Sequence, residues 1–176
     1  RSAMPMSRAL RLCPNALVIK PTHGLYSKIS KSFMEILGDY TPDVQVMSVD
    51  EAYMDMTGTE GLYGPHEKAA QAIKKRVHDE LKVTASIGIA PSRLVAKIAS
   101  DERKPDGMFT VARGDEAAYL APMPVRKLPG IGPRAAEKLG RLGIHTLGEL
   151  AAFPEGPLRR EMGNQSPRLI ERAKGI

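Results

Sequence analysis

The sequence holds one cysteine, Cys13, which excludes an internal disulfide and suits a reducing compartment. No apolar run approaches the roughly 20 residues of a membrane span, and there is no signal-peptide pattern. These absences predict a cytoplasmic protein without membrane contact. The four histidines, His23, His66, His78 and His145, show no metal-ligand spacing and read as surface or capping residues. The nine methionines are scattered, as gap-fillers in a core would be. The chain opens on Arg1 without an initiator methionine, which reads as a chain entered partway through or trimmed.

What is present is an ordinary globular composition with a basic bias. The 176 residues carry a formal net charge of +6, enough chain for one or two domains. Residues 1–111 hold 15 Lys and Arg against 13 Asp and Glu, whereas residues 112–176 hold 11 against 7. The basic excess is therefore denser in the last third, which suits a polyanionic partner.

Periodicity predicts helices over 7–12, 24–38, 66–82 and 93–103, with Ser92 capping the last. Ala69, Ile73, Val77 and Leu81 mark the buried face of the third helix, which turns Lys74, Lys75 and Arg76 outward. Strands are predicted over 43–48, 52–57, 83–89 and 108–111, and 58–65 reads as loop. The order helix–strand–strand–helix–strand is a ferredoxin-like pattern short of its first strand, which would lie centrally in the sheet. From about residue 112 the pattern is helical, with Pro and Gly at the joints. The fold class is α+β: an incomplete ferredoxin-like domain followed by a small all-helical one.

Three motifs carry chemistry. Asp50 and Glu51 stand between the apolar runs Val44–Met47 and Ala52–Met54. Adjacent acids there would be partly desolvated and would repel unless a cation sat between them. Hard oxygen donors without His or Cys suit Mg²⁺ or Mn²⁺. The plainer alternative is a tight hairpin with the acids at a solvent-facing tip. Asp55 reads as structural, and Ser48 as a residue that orients a carboxylate, touches DNA or faces the sheet edge. Second, Leu128-Pro129-Gly130-Ile131-Gly132-Pro133-Arg134 followed by Leu142-Gly143-Ile144 is a helix–hairpin–helix pattern. Gly130 and Gly132 let the backbone approach a nucleic-acid phosphate at a helix start, where unpaired amides point outward, and Arg134 and Lys138 add charge. Its alternative is a helical hairpin whose glycines only tighten the turn. Third, Lys97 and Lys104 flank Ile98–Arg103 ahead of a Pro-Asp-Gly turn, where Lys104 either meets a triphosphate or is a solvated helix-end lysine.

The segments Ser48–Tyr53, Ala85–Ala90, Lys97–Ser100, Lys104–Gly107 and Leu128–Gly132, in that order, resemble the Y-family translesion DNA polymerases of the bacterial DNA polymerase IV type. The resemblance covers essentially the whole chain. It implies a remnant of a fingers domain at 1–21, a palm at 22–111 and a helical thumb at 112–176. It implies a template-directed, error-prone polymerase using two Mg²⁺ ions, with Mn²⁺ as a substitute. In that scheme Asp50 bridges both ions, Glu51 completes the site of the ion that activates the primer hydroxyl, and Lys104 meets the dNTP triphosphate. Gly130, Gly132, Arg134 and Lys97 would hold primer-template DNA, and Ser2-Ala3-Met4 would cover the nascent base pair. The family's first catalytic aspartate, its triphosphate-clamping tyrosine and arginine, its ribonucleotide gate and its little-finger domain have no counterpart in this sequence. Sliding-clamp contacts belong to that absent C-terminal part. The expectation is a fragment with little polymerase activity of its own. A non-catalytic, polymerase-like DNA-binding scaffold in repair is the alternative, and a nucleotide cyclase is disfavoured by the DNA hairpin.

Overall fold

The computed structural model describes residues 4–176. Ser2 and Ala3, expected over a nascent base pair, lie outside the described residues. A short helix α1 (Met6–Leu12) buries none of its residues. It leads through an exposed segment to α2 (His23–Gly38). Strands β1 (Val44–Val46) and β2 (Ala52–Met54) pair antiparallel, with Val44 opposite Met54 and Val46 opposite Ala52.

The 58–65 segment contains one helical turn, α3 (Glu60–Tyr63). Gly58, Gly61, Gly64 and Pro65 disguise it as loop in the sequence. Helix α4 (His66–Leu81) buries Ala69, Ile73 and Val77 of the stripe its i, i+4 repeat predicts, with Ala70 beside them and Leu81 half-buried. It stops at Lys82 in the left-handed region. Strand β3 (Ile87–Ile89), helix α5 (Arg93–Ala99) and strand β4 (Met108–Thr110) follow, and β3 and β4 pair in parallel. Ser92 caps α5 by accepting from the Val95 amide. The helix ends at Ala99, four residues short of the predicted Arg103, where the chain turns towards Pro105. Lys104–Pro105 is a cis peptide bond.

Among the described residues the four strands form two separate pairs rather than one sheet. The apolar core divides the same way. One cluster joins Ile36 and Leu37 of α2 to Ile73 and Val77 of α4. A larger one joins Val95, Ile98 and Ala99 of α5 and Val111 to the C-terminal helices. These are α6 (Glu116–Leu120), α7 (Pro133–Arg141), α8 (Leu147–Ala152), α9 (Glu155–Met162) and α10 (Ser166–Ala173). Leu120, Leu139, Leu147, Leu150 and Leu158 are fully buried there. At about 1.5–3 kcal/mol for each such side chain, this cluster is the main apolar anchor of the fold.

Two glycines set how closely β3 and α5 meet the chain around them. A Cβ on Gly88 would lie 2.0 Å from the Ala96 carbonyl oxygen, and one on Gly107 would lie 1.9 Å from that of Arg103. Only glycine fits either position. No helix among the described residues is long and apolar enough to cross a membrane.

Candidate functional site

The β1–β2 hairpin presents Asp50 and Glu51 at its tip. The register leaves five residues, 47–51, between paired strands, and the Met47 and Ser48 amides both donate to the Glu51 carbonyl. Ser48 points its hydroxyl at Asp50 Oδ1, 2.6 Å away, so the serine orients a carboxylate. The expectation of partial desolvation is not met: both acids are exposed, the Glu51 side chain by 47%. The apolar residues around them, Val46, Met47 and Val49, are exposed as well, so the strands flanking the tip do not bury it.

Two cations from α5 face this hairpin, one at its tip and one on its first strand. Lys97 on α5 forms an ion pair with Glu51, and Arg93, one turn earlier, donates to Gln45 on β1. The structure thus puts Lys97, expected on DNA, against the acidic pair. Lys104 binds Asp101 at 2.6 Å. Its pKa is raised first by that hydrogen bond and, against some desolvation, by attraction to Asp101, Glu51 and Asp50. Lys104 therefore lies within the field of the acids. Asp50 and Glu51 fit a hard divalent cation by donor type, but as a pair. No group of three His, Cys, Asp or Glu among the described residues is placed to hold an ion. Asp55 accepts from the Thr57 amide at 2.9 Å and is a turn residue; hydrogen bonding to the Thr57 side chain first, and to its amide second, lowers its pKa.

The 104–107 turn has a strut that sequence reasoning missed. Lys74 does not turn outward. Its side chain is 18% exposed, and its ammonium donates to the Ala85 and Asp106 carbonyls, both at 2.7 Å, and to the Asp106 carboxylate. Periodicity puts Lys74 at the margin of the buried face of α4. Its acceptors lie 11 and 32 residues away in sequence, beyond any local signal.

The helix–hairpin–helix forms as expected. Leu128 and Ile131 are buried and pin the turn, Gly130 has φ +91°, and Gly132 caps α7 with Pro133 in its first turn. Gly130, Gly132 and Arg134 are exposed together at the start of α7. Lys138 departs from the expectation: it donates to the Glu161 carbonyl at 3.1 Å, beside the Arg141–Glu161 ion pair at 3.0 Å. It therefore braces α7 on α9 rather than extending the turn. Behind the motif, Thr146 and Glu149 form a capping box on α8, and the Glu149 pKa is lowered by the His145 and Thr146 amides.

A cleft of about 510 Å³ joins the two halves of the site. Met47 and Tyr53 of the acidic hairpin, Pro129 of the glycine turn, and Arg168 and Arg172 of α10 line it. The two arginines were signalled in the sequence only as part of the basic excess after residue 112.

Comparison with known proteins gives a concordant result. Residues 1–101 match the impB/mucB/samB family, and residues 113–144 match the IMS family HHH motif. The chain is 45% identical over 175 residues to DNA polymerase IV of Dehalococcoides mccartyi strain 195, aligning 99% of itself with 45% of that protein. It is 42% identical to DNA polymerase IV of Pseudomonas paraeruginosa, aligning all of itself with 50% of that protein. The chain thus spans about half the length of the curated relatives it matches. In three dimensions it resembles DinB from Sulfolobus solfataricus, with a TM-score of 0.88 and 27% identity over 99% of this chain and 52% of that one. It also resembles Dbh DNA polymerase in an insertion ternary complex, with a TM-score of 0.85 and 27% identity over the same shares.

Proposed function

Because the chain belongs to the impB/mucB/samB family of Y-family DNA polymerases, we propose that it is the palm and thumb portion of a template-directed, error-prone translesion polymerase. Residues 22–111 serve as palm, 112–176 as thumb and 1–21 as part of the fingers. The substrates are primer-template DNA and dNTPs. The observation that carries this reading is one cleft lined by Met47 and Tyr53 of the hairpin that bears Asp50 and Glu51, and by Pro129 of the turn that bears Gly130 and Gly132.

Divalent ions, Mg²⁺ or Mn²⁺ and two in number, would supply activation of the primer hydroxyl and neutralisation of the leaving pyrophosphate. Asp50, oriented by Ser48, and Glu51 are the residues that would hold them. Lys97 is the counter-ion of Glu51 until then. Lys104, positively charged and held by Asp101, is suited to a triphosphate oxygen. The turn at Gly130–Gly132 offers amides to a primer phosphate, and Arg134 adds charge without reading a base.

The ion pair of Lys97 with Glu51 also favours a second reading. A compensated carboxylate persists without metal, as a non-catalytic DNA-binding scaffold would require. Primer extension separates the two. The full-length protein carrying this segment, its Asp50→Ala and Glu51→Ala variants and the 176-residue chain are compared on a primed template with Mg²⁺. Template-directed addition that disappears in both variants is expected. Duplex binding without extension by the full-length protein would establish the scaffold instead.

A further inference from the structure

Helix α10 carries two arginines that the helix–hairpin–helix motif does not account for. Arg172 is half-buried, and its Nη2 donates to the Pro129 carbonyl at 2.7 Å. Its Nη1 lies 3.7 Å from where a Cβ on Gly130 would stand, so the guanidinium packs beneath the phosphate-binding turn. Arg168, four residues earlier, lies about one helical turn along the same face, about 6 Å by rise. Both line the 510 Å³ cleft that runs from Pro129 to Met47 and Tyr53. Among the described residues, neither has a carboxylate within salt-bridge distance, whereas Arg76, Arg141 and Arg159 each do. An unneutralised guanidinium fork in a cleft suits a phosphodiester, whose two free oxygens match its geometry. The apolar walls, Met47, Tyr53 and Leu94, leave room for the sugar.

We propose that Arg168 and Arg172 continue the phosphate track from the Gly130–Gly132 turn towards the Asp50–Glu51 hairpin, binding a phosphodiester of the same DNA strand. Arg172 is in addition a positioning residue, holding the turn through the Pro129 carbonyl. The inference rests on the reading of that turn as a DNA site.

The test is fluorescence anisotropy of the 176-residue chain on a labelled primed duplex between 50 and 200 mM salt. Arg168→Gln, Arg172→Gln, Arg172→Lys and a distant control, Lys31→Gln on α2, are compared, with melting midpoints measured for each. Arg168 is exposed, so its loss does not threaten folding. Arg168→Gln is expected to weaken binding about three- to tenfold and to lower the salt slope by about 1, as for one lost phosphate contact. Arg172→Lys keeps the charge and loses the fork, so affinity falls while the slope holds. Arg172→Gln lowers both. Salt-dependent binding by the parent chain with Arg168→Gln and Arg172→Gln indistinguishable from Lys31→Gln would overturn this inference alone. Absence of salt-dependent binding by the parent chain would overturn it together with the DNA reading of the turn.

Discussion

Gly88 is the position where one added carbon should do the most harm. It sits in the middle of β3, and α5 crosses directly over it. A Cβ there would lie 2.0 Å from the Ala96 carbonyl oxygen and 2.5 Å from the Ser100 nitrogen. Both obstacles are backbone atoms of one helix, so no rotamer relieves the clash and α5 must move as a body. Ordinary overpacking of a core costs about 1–3 kcal/mol, and a backbone clash this close belongs at the upper end, about 3 kcal/mol. For a chain of this size each kcal/mol moves the melting midpoint about 2–4 °C, so Gly88→Ala should lower it by about 6–12 °C. Far-UV circular dichroism on heating measures this. Gly24→Ala in α2 is the control, because nothing lies within 4 Å of its Cβ position. A helical glycine replaced by alanine there should hold or raise stability, by up to about 1 kcal/mol. A midpoint for Gly88→Ala within about 2 °C of the parent would mean that β3 and α5 do not approach as described, and the reasoning would fail.

Two further predictions concern local struts. Lys74→Met keeps the stem and removes the ammonium from the Ala85 and Asp106 oxygens, which should loosen the 104–107 turn by about 1–3 kcal/mol. Amide exchange at Gly107 and Ile87 should quicken while that of α7 is unchanged; equal rates in both proteins would refute it. Glu149 has a lowered pKa because the His145 and Thr146 amides donate to its carboxylate. The unfolded chain therefore binds its proton more readily, so this contribution is full above the ordinary glutamate range and is lost as pH falls through it. Urea midpoints measured from pH 7 down to pH 4 should decline less for Glu149→Gln than for the parent, and parallel declines would count against the capping-box assignment.

The parts of this molecule that local rules govern were legible in the sequence. The stripe Ala69–Ile73–Val77 specified one buried face, and Pro129-Gly130-Ile131-Gly132 specified a turn whose left-handed glycine and capping glycine each have one role. The acidic hairpin was legible as a turn between two apolar runs. Its environment was not, because exposure depends on what packs against Val46, Met47 and Val49, and nothing local encodes that. The turn α3 was hidden by its own glycines. Lys74, Lys97 and Lys138 were each read as free or ligand-facing cations. Each instead spans to an acceptor 23 or more residues away, whether on Asp106, Glu51 or Glu161. Long flexible side chains choose among such acceptors only once the backbone has brought them together.

The hydroxyl of Ser92 has a consequence beyond capping α5. It also donates to the Gly175 carbonyl at 3.0 Å, tying residues 83 positions apart. Behind that tie Val95, Ile98, Ala99 and Val111 share one core with Leu120 through Ala173. The cooperative unit of melting therefore does not follow the order of modules along the gene. Strands β3 and β4 and helix α5 should melt in step with helices α6 to α10, while the hairpin that carries the acids, resting on the smaller core of α2 and α4, is free to open at lower cost. The acidic pair and the Gly130–Gly132 turn then belong to different foldons, so that either can adjust without unravelling the other.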